Sequence, residues 1–478
     1  MEKRKGIVWF RQDLRLHDNE ALTEAIHHCD QIIPVFIFDD RFFKGKTNLL
    51  GLPKIGKFRT KFIIESVADL RASLRAIGSD LVVRVGKTEE EIFKIAQSEK
   101  TSWVFCNRER TQEELDIQDA LERNLWSIGQ EVRFSRGKLL YYTSDLPFPI
   151  THTPDVFTQF RKEVERFVQV RKPLPIPETI SPFSSEIPIG EIPTLTDFGL
   201  EDFSTDPRSV LAFKGGETAG LERLRYYFEE HKFASSYKET RNEMIGADFS
   251  TKFSAWLAQG CISPKMIYQE LKKYEEKYGE NDSTYWVFFE LLWRDFFRLM
   301  AKKYGNHLFR KGGLRQTVNK ELTNDHHLFR LWKDGRTGVP FIDANMREIA
   351  LTGFMSNRGR QNVASFLVHD LKVNWQMGAE YFESVLIDYD TASNWGNWNY
   401  IAGVGNDPRE DRKFNVLSQA KRYDPNGDYV KLWLPELAEL PINRIHRPDT
   451  LTPGEQEEFH FTLGSDYPKA MISMANWV

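Results

Sequence analysis

The sequence predicts an α/β fold: a doubly wound, parallel, five-stranded sheet domain followed by an all-helical domain. Three observations predict this arrangement. Five short runs of apolar, β-branched and aromatic residues alternate with helical patterns through the first third of the chain. Six prolines then fall within residues 173–193, a density that excludes a helix or an inner strand. From residue 217 onward, apolar residues recur almost everywhere at helical spacing.

The predicted domain boundaries follow from these changes along the chain. We expect an α/β domain over residues 1–135, a connecting segment over 136–215 and a helical domain over 216–478. Helices that alternate with strands favour parallel pairing, because each crossover returns the chain to the same end of the sheet. The clearest crossover helix spans residues 58–77. The predicted strands cover residues 6–10, 32–38, 80–85, 102–106 and 131–134.

The helical domain is expected to begin with a helix over residues 218–231. The dipeptide Ser263–Pro264 is a typical helix start, since serine caps the first turn and proline fits its first position. The remaining predicted helices cover residues 252–258, 264–277, 284–303, 345–352, 361–373 and 379–386.

The composition is that of an ordinary globular protein. The 478 residues include 65 Lys and Arg against 69 Asp and Glu, so the net charge is −4. With 41% hydrophobic and 28% charged residues the chain is too apolar for a disordered protein, and no apolar run could cross a membrane. The N-terminus lacks the apolar segment of a secretory signal. We therefore expect a cytoplasmic monomer without membrane contacts.

Common metal and nucleotide motifs are absent from the sequence. The cysteines Cys29, Cys106 and Cys261 form no CxxC pair, which argues against a disulfide framework and a zinc site. No HExxH is present, and neither pair of adjacent histidines has partners at metal spacing, so we expect no metal. The chain also lacks GxGxxG and a complete P-loop. Any nucleotide must therefore be bound in another way.

A first candidate constellation lies in the helix predicted over residues 284–303. Glu290, Trp293 and Arg294 are three and four residues apart, so they share one helical face. A carboxylate, an indole and a guanidinium together can stack on a base and hydrogen-bond its edge. The alternative is an ion pair within the helix beside a tryptophan of the core.

A second constellation combines residues 357–360, Asn-Arg-Gly-Arg, with Asp388, Asp390 and Asn394. Arginines in a glycine-containing turn suit phosphate or carboxylate groups. The two carboxylates stand in a segment that otherwise looks buried, where they need cationic partners such as these arginines. The alternative is a purely structural network of ion pairs.

A third constellation is the run Ser250, Thr251, Lys252 and Ser254. It places hydroxyl groups and free N–H groups at a predicted helix start, where anions bind. Ordinary helix capping is the alternative.

A basic stretch indicates a surface for a polyanion. Between residues 294 and 315, seven lysines and arginines stand against a single acid, Asp295. On a chain of negative net charge, such a local excess favours contact with nucleic acid, and a merely solvated helix face is the alternative. The candidates for DNA contact are Arg298, Lys302, Lys303, Arg310 and Lys311.

Taken together, these segments resemble the photolyase/cryptochrome family and, within it, the cryptochrome DASH subgroup. The family resemblance rests on residues 337–414, which include FIDANMREIALTGFMSNRGRQNVASFLV and DYDTASNWGNWNY. Residues 8–22 (VWFRQDLRLHDNEAL), 155–165 and 237–264 point to the subgroup. The resemblance extends over residues 6–440 and implies FAD bound in a U shape inside the helical domain.

The resemblance implies roles for the residues at matching positions. An amide at Asn394 near the flavin could hydrogen-bond either N5 or N5–H. The implied catalytic, lesion-contacting residues are Glu290, Trp293 and Asn357, with Asn394 beside N5. The implied cofactor-binding residues are Tyr237, Ser250, Thr251, Lys252 and Ser254 at the phosphates, with Arg294, Arg360, Asp388, Asp390 and Asn394 completing the set.

An electron path and an antenna are also implied by the resemblance. Trp398 and Trp375 match the inner members of a photoreducing tryptophan chain. The register set by Trp332 places Leu322 where the family usually has the outermost tryptophan, so the path stops at Trp375 or leaves through another aromatic residue. The family often carries methenyltetrahydrofolate as an antenna, and Glu109 matches the carboxylate that contacts its pterin.

The implied activity is blue-light-dependent repair of cyclobutane pyrimidine dimers. Photoexcited reduced FAD would donate one electron to a dimer flipped out of the base stack, and the subgroup favours single-stranded DNA, where flipping costs less. One alternative is a photoreceptor that signals to an unidentified partner without significant repair. Another is a nucleic-acid-binding protein that has lost its flavin, against which Arg360, Asp388, Asp390 and Asn394 argue.

Overall fold

The computed structural model of the protein describes residues 4–183, 186–406, 413–475 and 477. The stretch 407–412, within the segment that carries the family resemblance, lies outside the described residues. The N-terminal part is a sheet of five parallel strands in the order β3-β2-β1-β4-β5, which confirms the predicted fold class. The strands are β1 (Lys5–Phe10), β2 (Gln31–Asp39), β3 (Val82–Gly86), β4 (Trp103–Asn107) and β5 (Glu131–Ser135).

Helices cover both faces of the sheet. They are α1 (Glu20–His28), α2 (Asp40–Phe43), α3 (Lys57–Ala76), α4 (Thr88–Glu99) and α5 (Gln112–Trp126). Successive residues of β1 alternate between the faces, so Val8 and Phe10 join the core under α1 and α3, whereas Ile7 and Trp9 join the core under α4 and α5. The strand order reverses between β1 and β4, and the crevice at their carboxyl ends is the usual ligand position in such sheets.

The predicted connector contains one helix, α6 (Phe157–Phe167). In the described part of residues 168–216 the only regular element is the 3-10 turn Thr196–Phe198, as the proline density predicts. The boundaries near residues 135 and 215 stay predictions.

The rest of the chain is helical, and none of its described helices, nor any before them, is both long and apolar enough to cross a membrane. The helices are α7 (Glu217–Arg225), α8 (Tyr237–Thr240), α9 (Ser254–Gln259), α10 (Pro264–Tyr278), α11 (Asp282–Tyr304), α12 (His326–Lys333), α13 (Pro340–Thr352), α14 (Asn357–Ser365), α15 (Trp375–Val385), α16 (Thr391–Ile401), α17 (Val416–Tyr423), α18 (Asp428–Trp433), α19 (Ile442–Ile445) and α20 (Pro453–Glu458).

Two differences from the predicted helices have local causes. Helix α9 begins two residues later than predicted, because Lys252 takes a left-handed backbone with φ 58° and cannot be part of a right-handed helix. Helices α7 and α14 each continue into a single π-helical turn, Tyr226–Glu230 and Phe366–Asp370, so both end earlier as α-helices than predicted. Helix α10 begins as predicted, with Ser263 Oγ accepting the Met266 N–H at 3.0 Å.

A buried joint holds the sheet against the helical part. Glu217 accepts the backbone N–H of His17 at 3.0 Å and pairs with the His17 ring, while His17 Nε2 accepts the Ser263 N–H at 3.2 Å. Beside it, Asp18 and Lys265 form a buried ion pair of 2.7 Å. Because both parts contribute partners, the carboxyl edge of the sheet has a fixed position against the helices.

Candidate functional site

The residues predicted to bind the flavin ring converge on one cavity of about 110 Å³. It lies between α14, α15 and α16, with residues 386–390 along one wall. Six predicted site residues line it: Asn357, Arg360, Asp388, Asp390, Asn394 and Trp398.

Two helix starts present polar groups to this cavity. Helix α14 is capped by Ser356, whose Oγ accepts the Gly359 N–H at 3.0 Å, and α16 is capped by Asp390, whose carboxylate accepts the Ser393 N–H at 2.8 Å. Only glycine fits at position 359, since a Cβ there would lie 1.9 Å from Oδ1 of Asn345. The short motifs around residues 356–360 and 390–393 therefore set the geometry of the cavity.

Arg360 and Asp388 form the ion pair that the sequence predicts. Arg360 Nη2 donates to both carboxylate oxygens, at 3.0 and 2.8 Å, and Nε donates to the Met355 carbonyl at 2.9 Å. The Asp388 side chain is 2% exposed and the Arg360 side chain 24% exposed. The pair is thus compensated in charge and held rigidly at the cavity wall.

Asp390 pairs on its far side with Arg298 of α11. Burial alone would raise the pKa of Asp390, but Arg298 and then Arg294 outweigh burial and lower this pKa to about 2. The Arg298 side chain is only 12% exposed. Arg298 therefore does not lie on an exposed DNA surface, contrary to the prediction, because the buried carboxylate of Asp390 holds it inside.

Asn394 presents an amide oxygen to the cavity. Its Nδ2 donates to the Ala379 carbonyl at 3.1 Å, which fixes the orientation of the amide. Its Oδ1 has no hydrogen-bond partner in the described part of the chain and so remains an acceptor for a ligand N–H.

One buried arginine shapes the loop that carries the predicted phosphate-binding residues. Arg223 of α7 donates to the carbonyl oxygens of Ala247 at 2.8 Å, Ser250 at 3.3 Å and Thr251 at 3.2 Å. Its side chain is 7% exposed and also contacts Asp248. Sequence reasoning missed Arg223, because no motif marks an arginine that binds backbone carbonyls. The one sequence signal for Arg223 is its position in α7, where a charged residue falls on the same helical face as apolar residues.

The other predicted phosphate-binding residues surround this loop. Lys252 is buried, and no carboxylate lies within ion-pair distance of its Nζ in the described residues. Tyr237 is buried beside Glu290, and burial is the main cause that raises its pKa well above the ordinary range. Ser254 is the first residue of α9. None of these three residues lines the cavity between α14, α15 and α16.

Glu290 is held by an arginine that the sequence reasoning also missed. Arg241 donates to Glu290 at 2.5 Å, and its guanidinium lies 4.3 Å from the ring centre of Trp286. Burial raises the pKa of Glu290, and Arg241 opposes this rise. Arg294, the partner of Glu290 in the alternative of an intrahelical ion pair, instead donates to the Lys138 carbonyl at 2.9 Å. It does not line the cavity between α14, α15 and α16.

Trp293 is partly covered by the connector. Phe157 of α6 stacks on it with 3.6 Å between ring centres and 8° between ring planes. One face of the indole is therefore covered, and Phe297 also packs against the indole with 5.5 Å between ring centres.

Comparisons with known proteins show the family of the chain. The family model described as the FAD binding domain of DNA photolyase matches residues 286–477, and the model described as DNA photolyase matches residues 6–178. A cryptochrome DASH of Gloeobacter violaceus is 52% identical over 474 residues, which cover 99% of this chain and 94% of the relative. The chain belongs to the cryptochrome DASH group of the photolyase/cryptochrome family.

Other members of the family are similar over the same length. A cryptochrome DASH of Xenopus laevis is 48% identical and covers 98% of this chain and 90% of its own. The crystal structure of a Synechocystis cryptochrome superposes with a TM-score of 0.95 at 47% identity, over 100% of this chain and 99% of that one. The crystal structure of a class III photolyase of Agrobacterium tumefaciens superposes with a TM-score of 0.84 at 28% identity. The match covers 100% of this chain and 96% of the photolyase chain.

The residues present fit the FAD that this DASH-group domain implies. A flavin ring offers an N–H and carbonyl groups along one edge, and the cavity offers acceptors at Asn394 and Asp390 and a guanidinium at Arg360. Lys252 and the loop held by Arg223 offer a cation and hydroxyl groups for phosphates. These are the residues that would hold FAD.

FAD binding by the apoprotein is expected to weaken at alkaline pH. Burial lowers the pKa of Lys252 to about 8, against an opposing contribution from Glu348. A bound phosphate would favour the charged ammonium, so affinity should be constant below this pKa and fall about tenfold between pH 7 and 9. Titration of apoprotein with FAD, followed by flavin fluorescence, measures this slope. Lys252→Arg should flatten it, and an equal slope in both proteins would exclude Lys252 as the cause.

The tryptophans of this DASH-group chain form two separate contacts. Trp398 lines the cavity and lies 5.2 Å from the ring of Phe382 and 6.4 Å from Trp332. Trp375 meets Trp395 edge-to-face at 5.7 Å. Leu322 is buried, as 3% exposure shows. Among the described residues, the aromatic side chain next to Trp375 is therefore Trp395.

A second cavity, of about 460 Å³, lies at the carboxyl ends of β1 and β2. The guanidinium of Arg59 lies 4.5 Å from the ring centre of Tyr389, and the Tyr389 hydroxyl accepts the Trp395 indole N–H at 3.1 Å. Tyr389 lines both cavities. Glu109, the predicted antenna residue, does not line this cavity, and its buried carboxylate pairs with Lys138.

The remaining basic residues of the predicted DNA stretch differ in their surroundings. Lys303 pairs with Asp155 at 2.7 Å, and Lys311 Nζ donates to the Leu322 carbonyl at 3.1 Å. Arg310 is exposed. Lys302 lies near arginines of the sheet domain.

No cluster of three or more His, Cys, Asp or Glu side chains suited to a metal occurs in the described ranges.

Proposed function

We propose that this chain binds FAD and uses blue light to repair cyclobutane pyrimidine dimers, preferentially in single-stranded DNA. The observation that carries the proposal is the set of polar groups on one cavity: the Arg360–Asp388 pair, the ionised Asp390 and the acceptor oxygen of Asn394. When bound, FAD supplies the absorption of blue light and an electron for the dimer. The residues of the chain supply binding, orientation and electrostatics.

The three polar groups would divide the hydrogen bonding to the flavin. Arg360 donates, Asp390 accepts at every physiological pH because its pKa is lowered to about 2, and Asn394 accepts through Oδ1. Asn394 and Asp390 are positioned by the start of α16, which makes them a rigid pair. The ring would therefore be fixed along its polar edge before light is absorbed.

The side of the site that would face the lesion is built from Glu290 and Asn357. The amide of Asn357 at the cavity can both donate and accept. Burial raises the pKa of Glu290, and Arg241 opposes this rise by pairing with its carboxylate, which can accept a hydrogen bond from a pyrimidine N–H. Together they match the mixed donors and acceptors along a pyrimidine edge.

The preference for single strands follows from the cost of flipping. Extracting a dimer from a duplex costs a few kcal/mol, which stacking on aromatic side chains offsets by about 1–3 kcal/mol per base. Phe157 already covers one face of Trp293, which limits this stacking. In single strands the cost is smaller, so the same contacts suffice.

Glu290→Ala is expected to reduce light-dependent repair at least about tenfold, a loss typical of one charge-assisted hydrogen bond. The substrate is a single-stranded oligonucleotide containing one thymine dimer, and restored absorbance at 260 nm measures repair. The flavin content should stay unchanged, since Glu290 does not line the flavin cavity. Asp282→Asn, at the exposed start of the same helix, is the matched control and should repair normally.

Equal, background-level repair by wild type and Glu290→Ala would contradict the proposal and favour the photoreceptor alternative. Protein purified without flavin absorption would instead favour the flavin-free binding protein. A duplex containing the same dimer, assayed in parallel, tests the strand preference, and equal rates on both substrates would remove it.

We further propose that electrons reach the flavin site from Trp395 by way of Trp375 and Trp398. Trp395 would then take the place of the usual outermost tryptophan. In this path a tryptophan is oxidised by one electron, and an external thiol reductant restores it. Trp395→Phe should therefore slow the bleaching of the flavin bands under blue light at least about tenfold. Trp433→Phe, a buried tryptophan outside these contacts, is the control. Equal bleaching by both variants would exclude the exit through Trp395.

A folate antenna remains part of the proposal. The support is Glu109, whose position matches a pterin contact, although its carboxylate now pairs with Lys138. A near-ultraviolet band stronger than that of the flavin in the purified protein, lost in Glu109→Gln, is the expected sign.

For DNA we propose contact with Lys302, Lys303, Arg310 and Lys311, of which Arg310 is exposed.

A further inference from the structure

Four cations gather at the carboxyl edge of the sheet, outside both cavities. Asn107 of β4 is paired with Ser135 of β5, and the next N–H of β4, that of Arg108, donates to the Ser135 carbonyl at 3.0 Å. Arg108 and Arg136 therefore follow the last paired residues on neighbouring strands, about 5 Å apart. Arg110 comes two residues later, and Lys302 reaches the same place from the last turn of α11.

These four residues, which we call the cation cluster, repel one another. Burial and then Arg108 and Arg136 lower the pKa of Arg110 to about 10. Burial and then Arg110, Arg136 and Arg108 lower the pKa of Lys302 to about 8. Arg110 and Lys302 thus stay in positions that disfavour their own charge.

Nearby carboxylates do not neutralise the cation cluster. Glu109, between two of its members in sequence, turns away to Lys138. Glu20 accepts the backbone N–H of Arg136 at 2.8 Å, but it forms no ion pair with the guanidinium. In the described part of the chain, no carboxylate lies within 4.0 Å of a side-chain nitrogen of the cluster.

Such an arrangement is expected where anionic oxygens from outside the chain complete it. Guanidinium groups bind phosphate and carboxylate groups in bidentate fashion, and the carboxyl edge of a parallel sheet is the usual ligand position. Arg108 is steadied by the ring of Phe134, 4.8 Å away, so its orientation does not depend on a ligand. We propose that Arg108, Arg110, Arg136 and Lys302 bind a small, multiply charged oxyanion of the oligophosphate or polycarboxylate class.

This site is separate from the flavin cavity and from Glu290, and it shares only Lys302 with the proposed DNA contacts. Lys302 is twelve residues from Glu290 on α11, about 18 Å along the helix axis. None of the four cations lines the flavin cavity or the larger cavity. The proposal therefore stands even if the protein repairs no DNA, and its test uses no light.

The test is calorimetric titration of the flavin-containing full-length protein in the dark at low ionic strength. Tripolyphosphate and tricarballylate are the probes, and the tighter of the two identifies the class of anion. Arg110→Gln and Lys302→Gln should each weaken binding roughly tenfold, the loss expected for one charged hydrogen-bond donor. Arg75→Gln removes one exposed positive charge from α3 and should change the affinity less than about twofold.

Equal affinity in all four proteins, or no binding of either probe at millimolar concentration, would overturn the proposal. If Arg110→Gln does not fold, as circular dichroism would show, Arg136→Gln takes its place. A single-stranded oligonucleotide is then added as a competitor. If it displaces the probe and also loses affinity in Arg110→Gln, an arginine outside the proposed DNA contacts, the cation cluster is a nucleic-acid surface and the small-anion proposal fails.

Discussion

Asp390→Asn is expected to destabilise the protein by about 3 kcal/mol and to abolish its retention of FAD. The substitution keeps the shape and the cap of α16, because asparagine accepts the Ser393 N–H as aspartate does. It removes the anion that Arg298 and Arg294 share in the interior. Leaving a buried guanidinium without its partner is among the most destabilising single changes. Urea unfolding and the ratio of flavin to protein absorbance measure the two effects.

The pH dependence separates this effect from a general loss of packing. Because the folded-state pKa of Asp390 is lowered to about 2, its contribution is complete above the ordinary aspartate pKa near 4. The difference between wild type and Asp390→Asn should be constant from pH 5 to 8 and disappear as the pH falls toward 2. The control is Asp145→Asn, which breaks a more exposed pair with Arg171 and should cost less than about 1 kcal/mol. Equal stability of all three proteins at pH 7 would contradict the argument.

Arg223→Gln is expected to weaken FAD binding at least about a hundredfold while the fold is retained. Three backbone carbonyls lose their donor, and a glutamine amide can replace no more than two of these hydrogen bonds. The loop with Ser250 and Thr251 would then lose its fixed shape. Fluorescence titration of apoprotein with FAD measures the affinity, and far-ultraviolet circular dichroism checks the fold.

The same helix supplies the control for this prediction. Arg225 is two residues away and exposed, and Glu230 is its one ion-pair partner within the residues that the structure describes. Arg225→Gln removes the same charge without touching the loop, so its FAD affinity should stay within about twofold of wild type. If both variants bind FAD equally well, the loop does not depend on Arg223.

The fold was largely predictable because it depends on patterns that are local in sequence. Strands buried on both faces read as continuous apolar runs, as in β2, and this makes their positions clear. The start of α10 was equally clear, since the serine cap and the proline are adjacent. The late start of α9 was not predictable, because the left-handed backbone of Lys252 depends on the loop that Arg223 holds.

Contacts within the site could be predicted where short motifs mark both partners. They could not be predicted where the partners are distant in sequence and no motif links them. Burial and charge left both Arg358 and Arg360 open as partners of the carboxylates, and the family resemblance selected the pair of Arg360 with Asp388. Arg298 was placed on the surface because helical spacing cannot reveal a carboxylate 92 residues away. The stacking of Phe157 on Trp293 was missed for the same reason, since it joins the connector to α11.

Tyr389 lines both cavities, so ligands in the two cavities would meet the same aromatic side chain. Two ligands so placed are linked thermodynamically. If a ligand in the larger cavity changes the affinity of the smaller cavity by some factor, a ligand in the smaller cavity must change the affinity of the larger one by that same factor. The phenol ring of Tyr389, held between Arg59 and Trp395, is the side chain through which such a heterotropic coupling would pass.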